Sequence, residues 1–285
     1  YLGLTMGIDA PRLEKYNRQS TVDLATINPA NGKPGALVFA GRDGRARAFQ
    51  PVMVRPEPSV SIAWSPRDNT KTVIRLSLRR SYSSIPLYAG QWGTQGFNGT
   101  PTYITENSQL EPAAVLREGL PKPLHPPPDL RPEAANDTVA DLMYPGSRQP
   151  GYDYGRFSVE RQLPASIILT VGVNHTRGWD ILADNDGANP NAIALDNLQY
   201  RDLLNDESFR RSLRPYPQYQ RFDVSELYPV GHYERTEGFV RLEKRTSQGL
   251  SLRAVYEFSK QMDDYRGDGL QDYYHREKEW ALTYY

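Results

Sequence analysis

Apolar residues return at every second position in about eight separate stretches of this chain, and the connections between those stretches alternate short and long. Leu2, Leu4, Met6 and Ile8 share one parity, with Gly3, Thr5 and Gly7 on the other. The same pattern sets Val60, Ile62 and Trp64 against Ser59, Ser61, Ala63 and Ser65, and Thr72, Ile74, Leu76 and Leu78 against Val73, Arg75, Ser77 and Arg79. Phe157 and Val159 oppose Arg156, Ser158 and Glu160; Ile167, Leu169, Val171 and Val173 oppose Thr170, Gly172 and Asn174. Val240 and Leu242 oppose Glu237, Arg241 and Glu243; Leu250, Leu252, Ala254, Tyr256 and Phe258 oppose Ser251, Arg253, Glu257 and Ser259. A last run begins near Glu279 with Trp280, Leu282 and Tyr284. Side chains alternate across a strand, so each stretch reads as a β-strand with one apolar face.

The connections constrain the fold further. Pro66–Thr70, Leu163–Ala165 and Thr246–Gln248 are short, whereas roughly Ala10–Pro58, Ser81–Asp153, His175–Tyr233 and Gln261–Lys278 are long. In a stack of hairpins every second connection lies at the same end, so the long loops gather on one side and the tight turns on the other. A soluble sandwich has no reason to sort its loops, whereas outer-membrane barrels carry short periplasmic turns and long extracellular loops. The expected fold is therefore all-β, an antiparallel transmembrane barrel fragment of about eight meander strands, with 82–150 and 178–230 extracellular. Arg75, Arg79, Glu237, Arg241, Glu243, Arg253 and Glu257 are the lumen-facing candidates. The lipid-facing candidates are Ile74, Leu76, Val240, Leu242, Leu250 and Leu252, with Trp64, Tyr256 and Phe258 as interfacial girdle aromatics. Arg241, Glu243, Arg253 and Glu257 are expected to pair across neighbouring strands.

Composition is consistent with this and narrows the chemistry. The 34 Lys+Arg balance 34 Asp+Glu, which excludes the basic excess of a nucleic-acid binder. No stretch is long and apolar enough for a transmembrane helix. Mean hydropathy is −0.66, as alternating strands average out polar. The absence of cysteine excludes disulfides, thiolate zinc sites and a cysteine nucleophile. The first residue is Tyr1, so the chain reads as an internal piece of a longer protein.

Several strings resemble the Oar-like branch of TonB-dependent outer-membrane receptors. They are Leu213-Arg-Pro-Tyr-Pro-Gln-Tyr219, Val240-Arg-Leu-Glu-Lys-Arg245, Ser247-Gln-Gly-Leu250 and Tyr256-Glu-Phe-Ser-Lys260. Asn28-Pro-Ala-Asn-Gly32, Gly35-Ala-Leu-Val-Phe-Ala-Gly41, Lys71-Thr-Val-Ile-Arg75, Phe157-Ser-Val-Glu-Arg-Gln-Leu-Pro164 and Val171-Gly-Val look like parts of the same barrel. The resemblance implies that residues 1–285 are part of one barrel domain, with plug, signal peptide and C-terminal strands outside it. It implies a transporter whose partners are outer-membrane lipid, an unidentified cargo and, through the plug, TonB, with no nucleic acid. The rival reading is a soluble secreted β-sandwich that binds or cleaves carbohydrate.

No enzyme signature stands out: neither a G-x-S-x-G elbow nor a phosphate-binding glycine loop occurs. The expectation is a non-enzymatic protein with no catalytic residue, cofactor or metal. His125, His175, His232 and His275 lack ligand spacing. Asp184-Asn-Asp-Gly187 starts like a calcium loop but has Leu195 where the closing Glu belongs, so an Asx-rich turn is the better reading. Arg266-Gly-Asp268 is an ordinary turn tripeptide, and Asp263/Asp264 is not an oriented acid pair. Asn98, Asn136 and Asn174 head sequons that carry meaning only in a eukaryotic secretory route. Leu195–Leu213 has helical spacing, and Leu116–Pro132 is Pro-rich and expected to be extended.

Overall fold

The alternating stretches pair in one antiparallel sheet of eight strands in this computed structural model. The structure describes all residues except 11–12, 67–70, 84–93, 98–109, 111, 120–127, 144–147, 184–187, 225–227, 248, 265–269, 271 and 284–285. The Asp184–Gly187 and Arg266–Asp268 motifs, the Asn98 sequon and residues 120–127 of the Pro-rich stretch lie outside the described residues.

The strands are β1 (Leu2–Asp9), β2 (Ser20–Ile27), β3 (Pro34–Phe39), β4 (Met53–Trp64), β5 (Thr72–Tyr82) and β6 (Val139–Asp141). They continue with β7 (Gly151–Leu163), β8 (Ile167–Ala183), β9 (Arg221–Asp223), β10 (Tyr228–Ser247), β11 (Leu250–Asp263) and β12 (Ala281–Leu282). The large sheet runs β1-β4-β5-β7-β8-β10-β11-β12, and β1 and β12 form its two edges. Successive sheet strands are joined alternately by long segments, which contain β2–β3, β6, β9 and the helical turns, and by tight turns. All the long segments therefore leave the same end of the sheet.

The register shows which residues share a face. Directly opposed residues in an antiparallel pair point to the same side. One face carries Leu2, Leu4, Met6 and Ile8, then Val60, Ile62 and Trp64, Ile74, Leu76 and Leu78, Phe157 and Val159, Leu169, Val171 and Val173, Val240 and Leu242, and Leu252, Ala254, Tyr256 and Phe258. Much of it is bare: Leu2 is 80% exposed, Ile8 72% and Phe258 69%. Among the described residues no second sheet packs on it, which removes the sandwich. The other face is crowded at its centre, where Ser158, Thr170 and Phe239 are buried while Val171, Val173 and Val240 on the far side are exposed. Side chains converge on a concave face and diverge on a convex one, so the sheet bends toward its polar side.

The apolar band crosses the hydrogen-bonded rows obliquely. The row that holds Leu2, the first apolar residue of β1, passes through Val60, Leu78, Gly155, His175 and Thr236 to Lys260, which lies beyond the last apolar residue of the β11 run, Phe258. From β1 to β11 the centre of the band thus slides by about nine residues, ~30 Å along the strand, while crossing six strand spacings, ~29 Å. A level apolar belt then requires strands inclined by about 45°, close to the tilt of membrane-spanning barrels. β8 and β10 overshoot the belt, with 17 and 20 residues. Their outer halves place His175, Arg177, Glu234 and Thr236 where the inner halves place valine and leucine.

The expected start of β4 needs correction. β4 begins at Met53, not near Ser59, despite Pro56 and Pro58. Residues before Ser59 pair with β1 alone, and a strand without a ladder on one side tolerates proline. The strings around Asn28–Gly32 and Gly35–Gly41 lie, as expected, in the first long connection rather than in the large sheet. They form the separate β2–β3 hairpin, because polar and buried residues there follow the packing of another unit.

That unit is a cap on the outer end, and it holds the hydrophobic core. Val22, Leu37 and Phe39 from the first long segment meet Ala135, Ala140 and Leu142 from the second and Ala183, Ala188, Tyr219, Phe222 and Val224 from the third. Tyr228 and Val230 of β10 and Tyr273 of the fourth segment pack against this cluster. β6 and β9 pair in parallel and join the second segment to the third. The expected helix in Leu195–Leu213 is a pair of 3-10 turns within Leu195–Asn205, broken by a kink at Arg201, followed by the short α1, Glu207–Ser212, in which the amide of Phe209 donates to the capping Asp206 side chain.

Candidate functional site

The polar face is built row by row. Ser59, Arg79, Tyr154, Thr176 and Arg235 occupy one row, and Ser61, Ser77, Arg156, Asn174 and Glu237 the next. Between them lies an open groove of about 520 Å³, lined by Ser77, Arg79, Tyr154, Arg156, Asn174, Tyr233 and Glu237 among others. Tyr152 stacks on Tyr154 at 6.1 Å and meets the Tyr233 ring at 6.2 Å, closing the groove toward the cap. On its other side Arg156 lies 4.8 Å above the ring of Phe239. Phe239 in turn covers Gly172, where an added Cβ would come within 2.6 Å of the ring, so the close approach depends on glycine.

All seven lumen-facing candidates, Arg75, Arg79, Glu237, Arg241, Glu243, Arg253 and Glu257, fall on this polar face by register. The lipid-facing candidates Trp64, Ile74, Leu76, Val240, Leu242, Leu250, Leu252, Tyr256 and Phe258 fall on the apolar one. Tyr256 and Phe258 end the apolar run of β11 on its outer side, and β11 continues past them to Asp263. At the outer rim the aromatic pair is Tyr82 with Trp179, ring centroids 6.1 Å apart, and Arg80 covers Trp179 at 5.1 Å.

The expected ion pairs among Arg241, Glu243, Arg253 and Glu257 do not form, although Glu243 and Arg253 are directly opposite. On an open, hydrated face, ordering two long side chains returns little electrostatic gain. The pairs that form are Arg75–Glu160 at 3.0 Å and Arg235–Glu237 at 2.6 Å, with Asn174 donating to Glu237 at 2.9 Å. Asn174 and Arg156 were not singled out in the sequence as groove residues; only the register reveals them.

The cap is knotted by polar contacts around one carbonyl. The Gly35 oxygen accepts from Asn28 Nδ2 (3.2 Å), Gln218 Nε2 (2.9 Å) and the Tyr219 hydroxyl (3.0 Å). Gly35 has φ of +99°, and a Cβ there would sit 2.7 Å from the Tyr216 ring, so both backbone and space require glycine. The two strings Asn28–Gly41 and Leu213–Tyr219, far apart in sequence, thus meet here. Burial pushes the Tyr219 hydroxyl up to about 12. Asp141, paired in register with Asp223, is raised above the ordinary carboxylate range, by burial first and by the facing Asp223 second. His232 Nδ1 sits 2.9 Å from Asp264, and Arg276 lies 3.7 Å from the same carboxylate. No cluster of three or more metal-ligating side chains occurs among the described residues.

A curved antiparallel sheet with inclined strands, an uncovered apolar belt, a polar inner face and long segments at one end defines the wall of a transmembrane β-barrel. Residues 2–285 match the family described as outer membrane beta barrel domain, and the chain belongs to it, which places it in the outer membrane. No curated protein and no solved structure matches the chain.

Proposed function

We propose that this chain forms part of the barrel wall of an Oar-like, TonB-dependent receptor and transporter, a non-enzymatic protein. The outer segments bind cargo, and inner-membrane energy delivered through TonB to a plug opens the lumen. The observation that carries this reading is the shared cap core. Three long segments bury Val22, Leu37, Leu142, Tyr219 and Phe222 together instead of remaining separate loops. A simple pore has no need for such a folded outer surface; a receptor needs one, because pre-ordered contacts avoid the entropy of ordering loops on binding. The strings Leu213–Tyr219 and Asn28–Gly32, which resemble the Oar-like branch, support the same reading by forming the centre of that cap.

The test compares the sets of solutes and secreted proteins altered in cells lacking the full-length receptor and in cells lacking TonB. The receptor's set should fall inside the TonB set. Tyr219→Ala, which removes a buried ring at a cost of about 3–5 kcal/mol to the cap, should reproduce the receptor deletion while the barrel still accumulates in the outer membrane. Receptor-dependent changes that persist without TonB would overturn the proposal.

A further inference from the structure

We infer that the groove on the polar face between β5, β7, β8 and β10 is a binding site for an anionic, sugar-sized solute bearing a phosphate or carboxylate. The inference rests on the transport reading and names the class of cargo.

Charge is the first argument. The groove is lined by Arg79, Arg156 and Arg235 against a single carboxylate, Glu237. That carboxylate is already engaged, by Arg235 at 2.6 Å and Asn174 at 2.9 Å. Arg79 and Arg156 have no carboxylate within ion-pair distance among the described residues. Arg241 and Arg253 also lack such pairs, but they share their stretch of the face with Glu243 and Glu257, so the net charge there is balanced. At the groove two guanidinium forks remain free, the side chain best suited to bidentate capture of phosphate or carboxylate.

Shape is the second. About 520 Å³ is the size of a small-molecule site. Tyr154, 42% exposed, offers a ring face, and Ser77 and Thr176 offer hydroxyls beside it. Rigidity is the third. Arg156 is held over Phe239, which is itself seated on Gly172, so part of the cationic surface is positioned before a ligand arrives. A groove with an excess of one sign of charge concentrates counter-ions, which suits a path that draws anions inward.

Calorimetry on the purified full-length protein in lipid nanodiscs tests this with glucose 6-phosphate, inorganic phosphate and uncharged glucose. Glucose 6-phosphate should bind with an affinity that falls as salt rises, and at least about tenfold more tightly than glucose. The double variant Arg79→Gln/Arg156→Gln should lose at least about tenfold, and Arg253→Gln, elsewhere on the same face, should bind like the parent. Retained heat-modifiable migration in gels shows that each variant is folded. Equal binding of glucose and its phosphate, no binding of either phosphate probe at millimolar concentration, or a double variant that binds normally would each overturn the inference. Binding is read without TonB. A receptor that is TonB-dependent but ignores both anions therefore refutes this inference alone, and an anion-binding barrel indifferent to TonB refutes only the transport reading.

Discussion

Asp141 is the residue where the cap is under electrostatic load. Its carboxyl is buried beside Asp223 across the parallel β6–β9 pair, and both causes push its pKa up. A carboxyl whose folded pKa exceeds its unfolded one binds protons more readily in the native state. Stability is therefore lost as pH rises from the unfolded value of 3.8 through the raised folded value. Asp141→Asn removes the charge and keeps an oxygen that can accept the backbone N–H of Thr94. It should stabilise the cap at neutral pH and give no advantage near pH 3, below both pKa values. Hydrogen exchange at the Leu37 amide, which donates to the Pro132 carbonyl inside the cap, reads the effect. Equal protection in the two proteins at neutral pH would mean that Asp141 is not strained.

At the scale of elements, the strands carry opposite demands on their two faces. Leu252 and Arg253 are neighbours on β11, yet Leu252 shares a row with Lys244 and Ile167 on the apolar face, and Arg253 stands opposite Glu243 on the polar one. Leu252→Arg should destabilise the full-length barrel in lipid by about 2–4 kcal/mol if it reaches the bilayer midplane. Arg253→Gln, which breaks no ion pair, should cost well under 1 kcal/mol. Urea titrations of refolding into vesicles measure both, and similar losses would mean that the faces are reversed. This facing was legible in the sequence because period two is local: Ile74 to Leu78 and Leu250 to Phe258 announce their side without knowledge of any partner. What was not legible is non-local. Nothing in Asn28–Gly41 says what it packs against, since its hairpin is held by Gln218 and Tyr219 almost two hundred residues away. The prolines of β4 read as a break because tolerance for them depends on which neighbour is missing. The groove was half legible: Arg79 and Glu237 could be placed on a face, but that Asn174 and Arg235 would occupy Glu237, leaving Arg79 and Arg156 without a carboxylate among the described residues, required the register.

At the scale of the whole molecule, two hydrophobic systems are separated along one axis. The belt is apolar and bare, and is stabilised by lipid; the cap is apolar and buried, and is stabilised by its own packing. A barrel wall cannot be stable in water with Leu2, Leu4, Met6 and Ile8 uncovered, and it cannot span hydrocarbon with the edges β1 and β12 unpaired, because each unsatisfied backbone group there costs several kcal/mol. The separation also fixes orientation. Long segments that share a folded core cannot easily be distributed between two sides of a membrane, so the whole cap must lie on one side and the tight turns on the other. In outer-membrane barrels the long segments are the extracellular ones. Cysteine introduced at Leu198, 61% exposed on the cap, should react with a membrane-impermeant maleimide on intact cells that make the full-length protein. Cysteine at Asn69, in the connection between β4 and β5, should react only after the outer membrane is permeabilised. Labelling of Asn69→Cys on intact cells, with Leu198→Cys protected, would invert the molecule, and labelling of both would mean that the sheet does not separate two compartments.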